Sequence, residues 1–350
     1  MDIVIVYKYR ALSLIYTKDI QIAELLWRSA ISYFLDYLAF LLGGFLLSLS
    51  LLFKSKFELI YSHDTGNAGL IGALLSVLFR KPLIVHIHGD KFKEISLRGI
   101  NLLRRLHLAY EAIIEYIVLR KASLILFASK HILSEYSRRY AKYARKFKHL
   151  PVGIKLSNLV KSKEKERKKY KIKLPSDRVI IGYIGRLEAE KNLGVLLKAL
   201  SLLKDDGFKF HLVIAGTGTL KPTLEEMASS LSIHDNVSFL GYVRDVKRIL
   251  SMIDVFVLPS LSEGFPLALI EALASGKAIA ASSIPQIRDI VRGMNRICLF
   301  NPRSVSEVKE CIIKLSKLKD KAYPRHNVFE KYDISVIALK LLKLFNLFSS

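Results

Sequence analysis

Two acids, Glu263 and Glu271, stand with seven residues between them in the run Ser262-Glu263-Gly264-Phe265-Pro266-Leu267-Ala268-Leu269-Ile270-Glu271. The run follows Asp254-Val255-Phe256-Val257-Leu258-Pro259, an apolar stretch closed by proline, which has the pattern of a buried strand. Gly264 and Pro266 predict a turn, and Leu267 to Ala274 a helix. Glu263 then lies on a strand-to-helix loop, and Glu271 two turns into the helix. The free N–H groups and positive dipole of a helix start favour an anion. Two carboxylates around such a start suit hydroxyl binding: one can grip a sugar and the other a ribose, with phosphate held on the backbone between them.

Three further groups have the right types for the same chemistry. Gly185-Arg186 follows an apolar run, and Lys191-Asn192 precedes a helical one. A glycine turn and two cations near a helix start can hold a diphosphate, Arg186 by chelation and Lys191 as a point charge. The same residues also fit a plain helix start with two surface cations. Ala215-Gly216-Thr217-Gly218 ends another apolar run, where glycine admits close backbone approach to a ligand or simply makes a turn. His88-Gly89-Asp90 ends a third. Its histidine can hydrogen-bond a sugar or stabilise developing charge, or serve the fold alone.

The elements that must carry these residues alternate strand and helix. In the first half, strands are predicted at Ile3 to Tyr7, Phe57 to Tyr61, Pro82 to His88 and Ser123 to Ala128. Helices are predicted at Thr17 to Trp27, Ala68 to Phe79, Leu97 to Arg120 and Lys130 to Arg145. Pro151-Val152-Gly153 breaks the rhythm, and the charged run Lys161 to Lys173 reads as an exposed connector. The second half restarts at Val179 to Ile184 and ends in helices at Ser304 to Leu318 and Ile334 to Phe348. A length of 350 residues suits two domains. The expected class is α/β, with two doubly wound parallel sheets facing a cleft and ligands at the carboxyl ends of the strands.

Taken together, Gly185-Arg186, Lys191-Asn192, the Ala-Gly-x-Gly turn, Phe239-Leu240-Gly241-Tyr242-Val243 and the Glu263–Glu271 pair occur in one order. In this the chain resembles the family-4 retaining glycosyltransferases of the GT-B fold, the group 1 glycosyltransferases. The likeness is close over Val179 to Asp289 and looser over Phe57 to Gly153, where His88-Gly89 and Leu150-Pro151-Val152-Gly153-Ile154 match family segments. The resemblance implies an acceptor-binding domain over 1–155 with an atypical apolar segment at 31–53. It implies a nucleotide-sugar domain over 175–330, and a last helix over 331–350 that returns to the first domain. Arg186 and Lys191, with Gly185, Gly216 and Gly218 beside them, would hold the diphosphate. Glu263 would bind the donor sugar, with backbone at Gly264, Phe265, Pro266 and Leu267 meeting sugar and phosphate. Glu271 would bind the ribose, Tyr242 and Val243 the base, and His88 the sugar from the first domain. The implied reaction is retaining transfer from a UDP- or GDP-sugar to a glycan or lipid-linked acceptor, without cofactor or required metal. One departure is the first loop. Tyr7-Lys8-Tyr9-Arg10 stands where the family has a glycine-rich turn, so Lys8 or Arg10 would supply charge there. A sugar-nucleotide epimerase of the same fold is the alternative enzyme.

Composition bears on where such an enzyme works. Net charge is +24, and from Lys91 to Lys173 there are 23 Lys/Arg against 6 Asp/Glu. That field favours an anionic partner. Nucleic acid is not expected, because no recognition motif accompanies the charge. A degenerate basic binding protein is the non-enzymatic reading. Tyr37 to Phe53 carries no charge. It reads as a membrane span, as a buried helical hairpin bent at Gly43-Gly44, or as a dip into one leaflet. The basic segment Arg138-Arg139, Lys142 and Arg145-Lys146, with Tyr136, Tyr140 and Tyr143 as aromatic anchors, favours the last. The start lacks a basic signal region, and Cys298 and Cys311 show no spacing for a zinc or disulfide framework. The expected location is cytoplasmic, peripheral to the inner face of the cell membrane.

Overall fold

The computed structural model describes residues 3–6, 42–46, 48, 57–90, 92, 102–156, 175, 177–318 and 326–348. The Tyr7–Arg10 loop, the helix expected at Thr17 to Trp27, the Lys161–Lys173 connector and most of the apolar stretch lie outside these residues. The chain divides into two compact units, Met1–Leu150 with Leu339–Ser350, and Pro151–Ala338.

The first unit is built on five parallel strands in chain order: β1 (Ile3–Val6), β2 (Leu59–His63), β3 (Leu83–Ile87), β4 (Leu124–Phe127) and β5 (Phe147–His149). The strands β3 and β4 are buried along their whole length, as their mainly apolar sequences require in a sheet covered on both faces, with His86 the one polar residue among them. Helix α1 (Asn67–Phe79) joins β2 to β3, α2 (Leu102–Lys121) precedes β4, and α3 (Lys130–Arg139) follows it. The helix expected over Lys130 to Arg145 stops early. Tyr140 leaves helical geometry at φ −125°, its hydroxyl reaching Glu115 Oε1 at 2.6 Å, and a 3-10 turn (Ala141–Lys146) leads into β5. Strand β5 was hidden in the sequence because it sits at a sheet edge, with only Phe147 buried between charged neighbours.

Two expectations about the membrane segment change. Residues 42–46 are helical straight through Gly43-Gly44, so no bend occurs there. The tyrosines read as anchors point inward. Tyr136 and Tyr143 are buried, and Tyr136 and Tyr140 both donate to Glu115. Among the described residues, no helix is long and apolar enough to cross a membrane.

The second unit has six parallel strands in the order β11-β10-β9-β6-β7-β8. These are β6 (Val179–Ile184), β7 (Phe210–Ala215), β8 (Val237–Gly241), β9 (Val255–Leu258), β10 (Ala278–Ser282) and β11 (Ile297–Phe300). The helices between them are α4 (Leu193–Asp205), α5 (Lys221–Ser230), α6 (Val246–Met252), α7 (Leu267–Ala274) and α8 (Pro285–Val291). Helices α9 (Val305–Ser316), α10 (His326–Tyr332) and α11 (Ile334–Phe345) follow β11. The order reverses between β6 and β9, so the loops leaving those two neighbouring strands diverge and leave a crevice at their carboxyl ends. Cys298 on β11 and Cys311 on α9 are bonded to each other, which corrects the expectation that their spacing offers no disulfide. Their spacing hid the pair because it brings a strand onto the helix that covers it, and a staple of this loop length contributes about 3 kcal/mol on the chain-entropy account.

Candidate functional site

The crevice of the second unit is built by three loops. The first leaves β6. Gly185 lacks a side chain because a Cβ there would lie 2.6 Å from Tyr183 Oη, and that hydroxyl donates to Arg186 O at 2.8 Å. Burial pushes the Tyr183 phenol well above its ordinary pKa, so it stays a neutral donor. The Arg186 guanidinium is held by Glu190, whose Oε1 accepts from Nη2 at 2.8 Å. A 3-10 turn (Ala189–Lys191) then brings Lys191 to the start of α4. Asn192 takes the left-handed conformation, φ 53°, which asparagine tolerates better than most residues.

The second loop leaves β9 and is stitched to the first. Asn192 Nδ2 donates to Pro259 O and Pro302 O, and Leu261 N donates to Glu190 O at 2.8 Å. This stitching places Lys191 Nζ 2.8 Å from Glu263 Oε1, with Ser260 Oγ donating to the same oxygen at 2.6 Å. Both charged side chains are largely shielded from water. A buried pair of this kind adds little net stability, because desolvation offsets most of the attraction. It does hold a cation and a carboxylate in fixed positions at a strand switch point. After Glu263, Pro266 precedes α7, and no side chain caps that helix's first turn.

The third loop leaves β7. A Cβ on Gly216 would lie 1.8 Å from Gly185 O, and one on Gly218 2.3 Å from Leu187 O. The close approach these glycines permit is therefore to the β6 turn. Gly185 N donates to Ala215 O and Leu187 N to Thr217 O across the contact. The two glycines shape the turn that carries Arg186.

Glu271 is the fifth residue of α7, one turn in and not two. Burial raises its pKa to about 6, opposed by the positive charge of Lys247 on α6. Lys247 follows the Tyr242-Val243 loop, where Tyr242 is 79% exposed and Val243 packs partly on the core. Phe265 stacks edge-on against Tyr332 with ring centroids 5.9 Å apart. The second unit thus gathers Gly185, Arg186, Lys191, Gly216, Gly218 and Glu263 on three packed loops. Ser260 and Glu190 join them, and neither stood out in the sequence.

His88 belongs to the first unit, just past β3. Its Nε2 shares a hydrogen bond with Nδ1 of His63, at the end of β2, at 2.8 Å. Burial, with the charge of His63, brings His88 down to about 4, and burial brings His86 to about 3. His86 Nε2 lies 2.9 Å from Leu150 O and Nδ1 2.7 Å from Tyr61 Oη. The carbonyl can only accept, so the neutral ring donates from Nε2 and receives the tyrosine proton at Nδ1. His63 was missed in the sequence, although it too ends a strand. Among the described residues, no group of three or more His, Cys, Asp or Glu is arranged to hold a metal ion.

The family Glycosyl transferases group 1 matches residues 163–333. CapJ of Staphylococcus aureus is 30% identical over 79% of this chain and 67% of its own length. The chain belongs to the group 1 glycosyltransferases. EpsF of Bacillus subtilis (strain 168), which bears a glycosyltransferase name, is 32% identical over 72% of this chain. A UDP-Gal:alpha-D-GlcNAc-diphosphoundecaprenol alpha-1,3-galactosyltransferase of Escherichia coli is 26% identical over 67% of this chain. The matched region spans 65% and 60% of those two relatives.

Among solved structures, sucrose-phosphate synthase from Thermosynechococcus elongatus superposes with a TM-score of 0.73 at 20% identity, over 87% of this chain and 77% of that one. Anabaena Alr3699/HepE in complex with UDP-glucose gives 0.68 at 20% identity, over 83% and 78%. At such identities the likeness concerns the fold. The two parallel-sheet units of this group 1 glycosyltransferase have the GT-B architecture.

Proposed function

We propose that this protein transfers a sugar from a UDP- or GDP-sugar to a glycan or lipid-linked acceptor, with retention of anomeric configuration and without a required metal. The observation that carries the reading is the Lys191–Glu263 pair, fixed by Ser260 where the β6 and β9 loops diverge. Family membership and the UDP-glucose bound by HepE support the donor class, and the diphosphoundecaprenol acceptor of the Escherichia coli relative supports the acceptor class.

In this reading the second unit binds the donor and the first the acceptor. Arg186 and Lys191 neutralise the diphosphate, and the uncapped start of α7 at Gly264 to Leu267 adds backbone N–H groups. Glu263 accepts from sugar hydroxyls, Glu271 from the ribose, and Tyr242-Val243 meets the base. His88, neutral and oriented by His63, hydrogen-bonds a sugar hydroxyl. In the transfer step the bond from the anomeric carbon to the diphosphate oxygen breaks as the bond to the acceptor oxygen forms on the same face. The acceptor proton passes to the departing phosphate. The protein's main contribution is charge stabilisation of that leaving group. The site works on the cytoplasmic side, at the inner membrane surface.

Glu271 gives this reading a pH signature. Its folded-state pKa is raised, so the proton is held more tightly in the folded protein than in the unfolded chain. The group therefore stabilises the fold below its ordinary carboxylate range, and that contribution is lost as pH rises through about 6. Ribose binding runs the other way, because only the ionised carboxylate accepts from both hydroxyls. Donor KM rises as pH falls through about 6 in the wild type and stays flat in Glu271→Gln. Equal pH slopes in the two proteins would separate Glu271 from the ribose. The stereochemical claim is tested by the anomeric coupling in the NMR spectrum of the product. An inverted anomer would overturn retention.

A further inference from the structure

Helix α2 is built inside out. Its two carboxylates face the interior, Glu115 only 2% exposed and accepting from Tyr136, Tyr140 and, at 3.4 Å, Thr65. Its solvent face carries Leu106 (60% exposed), Ile113 (63%), Tyr116 and Ile117, at the spacing of one helical stripe. Alongside runs α1, brought close because Gly69 leaves room for Val118, whose methyls would lie 3.2 Å from a Cβ there. It presents Leu74, Val77 and Leu78 (58%) to solvent at the same spacing. Isolated exposed leucines are ordinary, but two adjacent helices with apolar outer stripes form a patch that marks an interaction surface.

Charge says what the partner is. Helix α1 contains no acid, and those of α2 are buried, so neither helix exposes a carboxylate. The patch is flanked by Arg80 and Lys81 at the end of α1 and by the exposed Arg105, Arg120 and Lys121 on α2. A second copy of the chain would bring these cations against one another, which disfavours an isologous dimer. A bilayer surface with anionic headgroups satisfies both features. The apolar stripes enter the boundary between headgroups and acyl chains, and the cations meet phosphate. We propose that the α1–α2 face docks on an anionic phospholipid surface. This rests on the membrane-surface part of the function proposed above and replaces the tyrosine-lined segment as the contact. It is independent of the transfer chemistry.

The test is flotation of the full chain, without donor or acceptor, on phosphatidylglycerol–phosphatidylcholine vesicles and on phosphatidylcholine alone. Binding to the anionic vesicles is expected, weakened by salt. The triple variant Leu78→Gln, Leu106→Gln, Ile113→Gln should bind at least about tenfold less, since each side chain forfeits apolar burial in the bilayer. It should keep the wild-type melting temperature, because all three positions are exposed. Arg120→Glu with Lys121→Glu should lose the preference for anionic vesicles. Four results would each overturn the proposal: no wild-type binding, undiminished binding by the triple variant, a sharp fall in its melting temperature (showing the stripe is covered by the chain itself), or a wild-type dimer that the triple variant loses. Nucleoside diphosphate release, measured separately in the same proteins, reports on the transferase reading alone.

Discussion

Replacing Glu263 with glutamine lowers kcat for sugar transfer by about 10²–10³-fold, the range for removing one preorganised electrostatic group, while the protein remains folded. The amide keeps an oxygen for Ser260 Oγ and for Lys191 Nζ, so the loop geometry survives. What disappears is the negative charge that holds Lys191 in place and that is proposed to meet the sugar hydroxyls. Lys191→Ala is harsher on the fold. It leaves the Glu263 carboxylate buried without its cation, a change that typically costs about 3–5 kcal/mol. The informative pair is therefore Glu263→Gln and Lys191→Gln, each assayed for kcat and for melting temperature. Wild-type kcat in Glu263→Gln would remove Glu263 from the chemistry.

The largest effect on stability is expected at Gly216. An alanine there would put its Cβ 1.8 Å from the backbone oxygen of Gly185, and no rotamer can relieve that. The β6 and β7 turns would have to separate, breaking the Gly185–Ala215 and Leu187–Thr217 hydrogen bonds. A loss of about 3 kcal/mol or more, or failure to fold, is expected in chemical denaturation. Gly194→Ala is the control. It lies in α4, where the nearest atom to a new Cβ is Met227 Sδ at 3.7 Å, an ordinary contact. Alanine should stabilise that helix by about 0.5–1 kcal/mol. A Gly216→Ala protein as stable as the control would mean that the two turns are not packed as described.

The contrast between these glycines shows what the sequence makes legible. The strand ends at Ile184, Ala215 and Leu258 could be read directly, because apolar runs stop at glycine or proline and cations or acids follow. That was enough to place Arg186, Lys191 and Glu263 on loops that follow strands. It could not show that Lys191 and Glu263 touch, because the strand reversal that joins them is a long-range fact. Nor could it show that Gly216 packs on protein backbone. Ser260 was invisible because a serine after a strand proline is common, and it becomes informative only beside Glu263. In the first unit, periodicity located α2 but not its orientation. Glu111 and Glu115 look like solvent-facing acids until Tyr136 and Tyr140 are seen to reach Glu115 from α3 and the turn beyond it. The same inward turn disposed of the aromatic anchors and exposed the apolar stripe. Strand β5 was lost among charges for a related reason, since an edge strand buries little of itself.

The central claim is that the Lys191–Glu263 site handles the diphosphate and sugar of a nucleotide donor. It is tested most directly by nucleoside diphosphate release from a panel of UDP- and GDP-sugars, in the wild type and in Glu263→Gln side by side. The wild type should release nucleoside diphosphate from at least one donor, and the variant about 10²–10³-fold more slowly. Release at the same rate by both proteins, or from no donor in the panel by either, would contradict it.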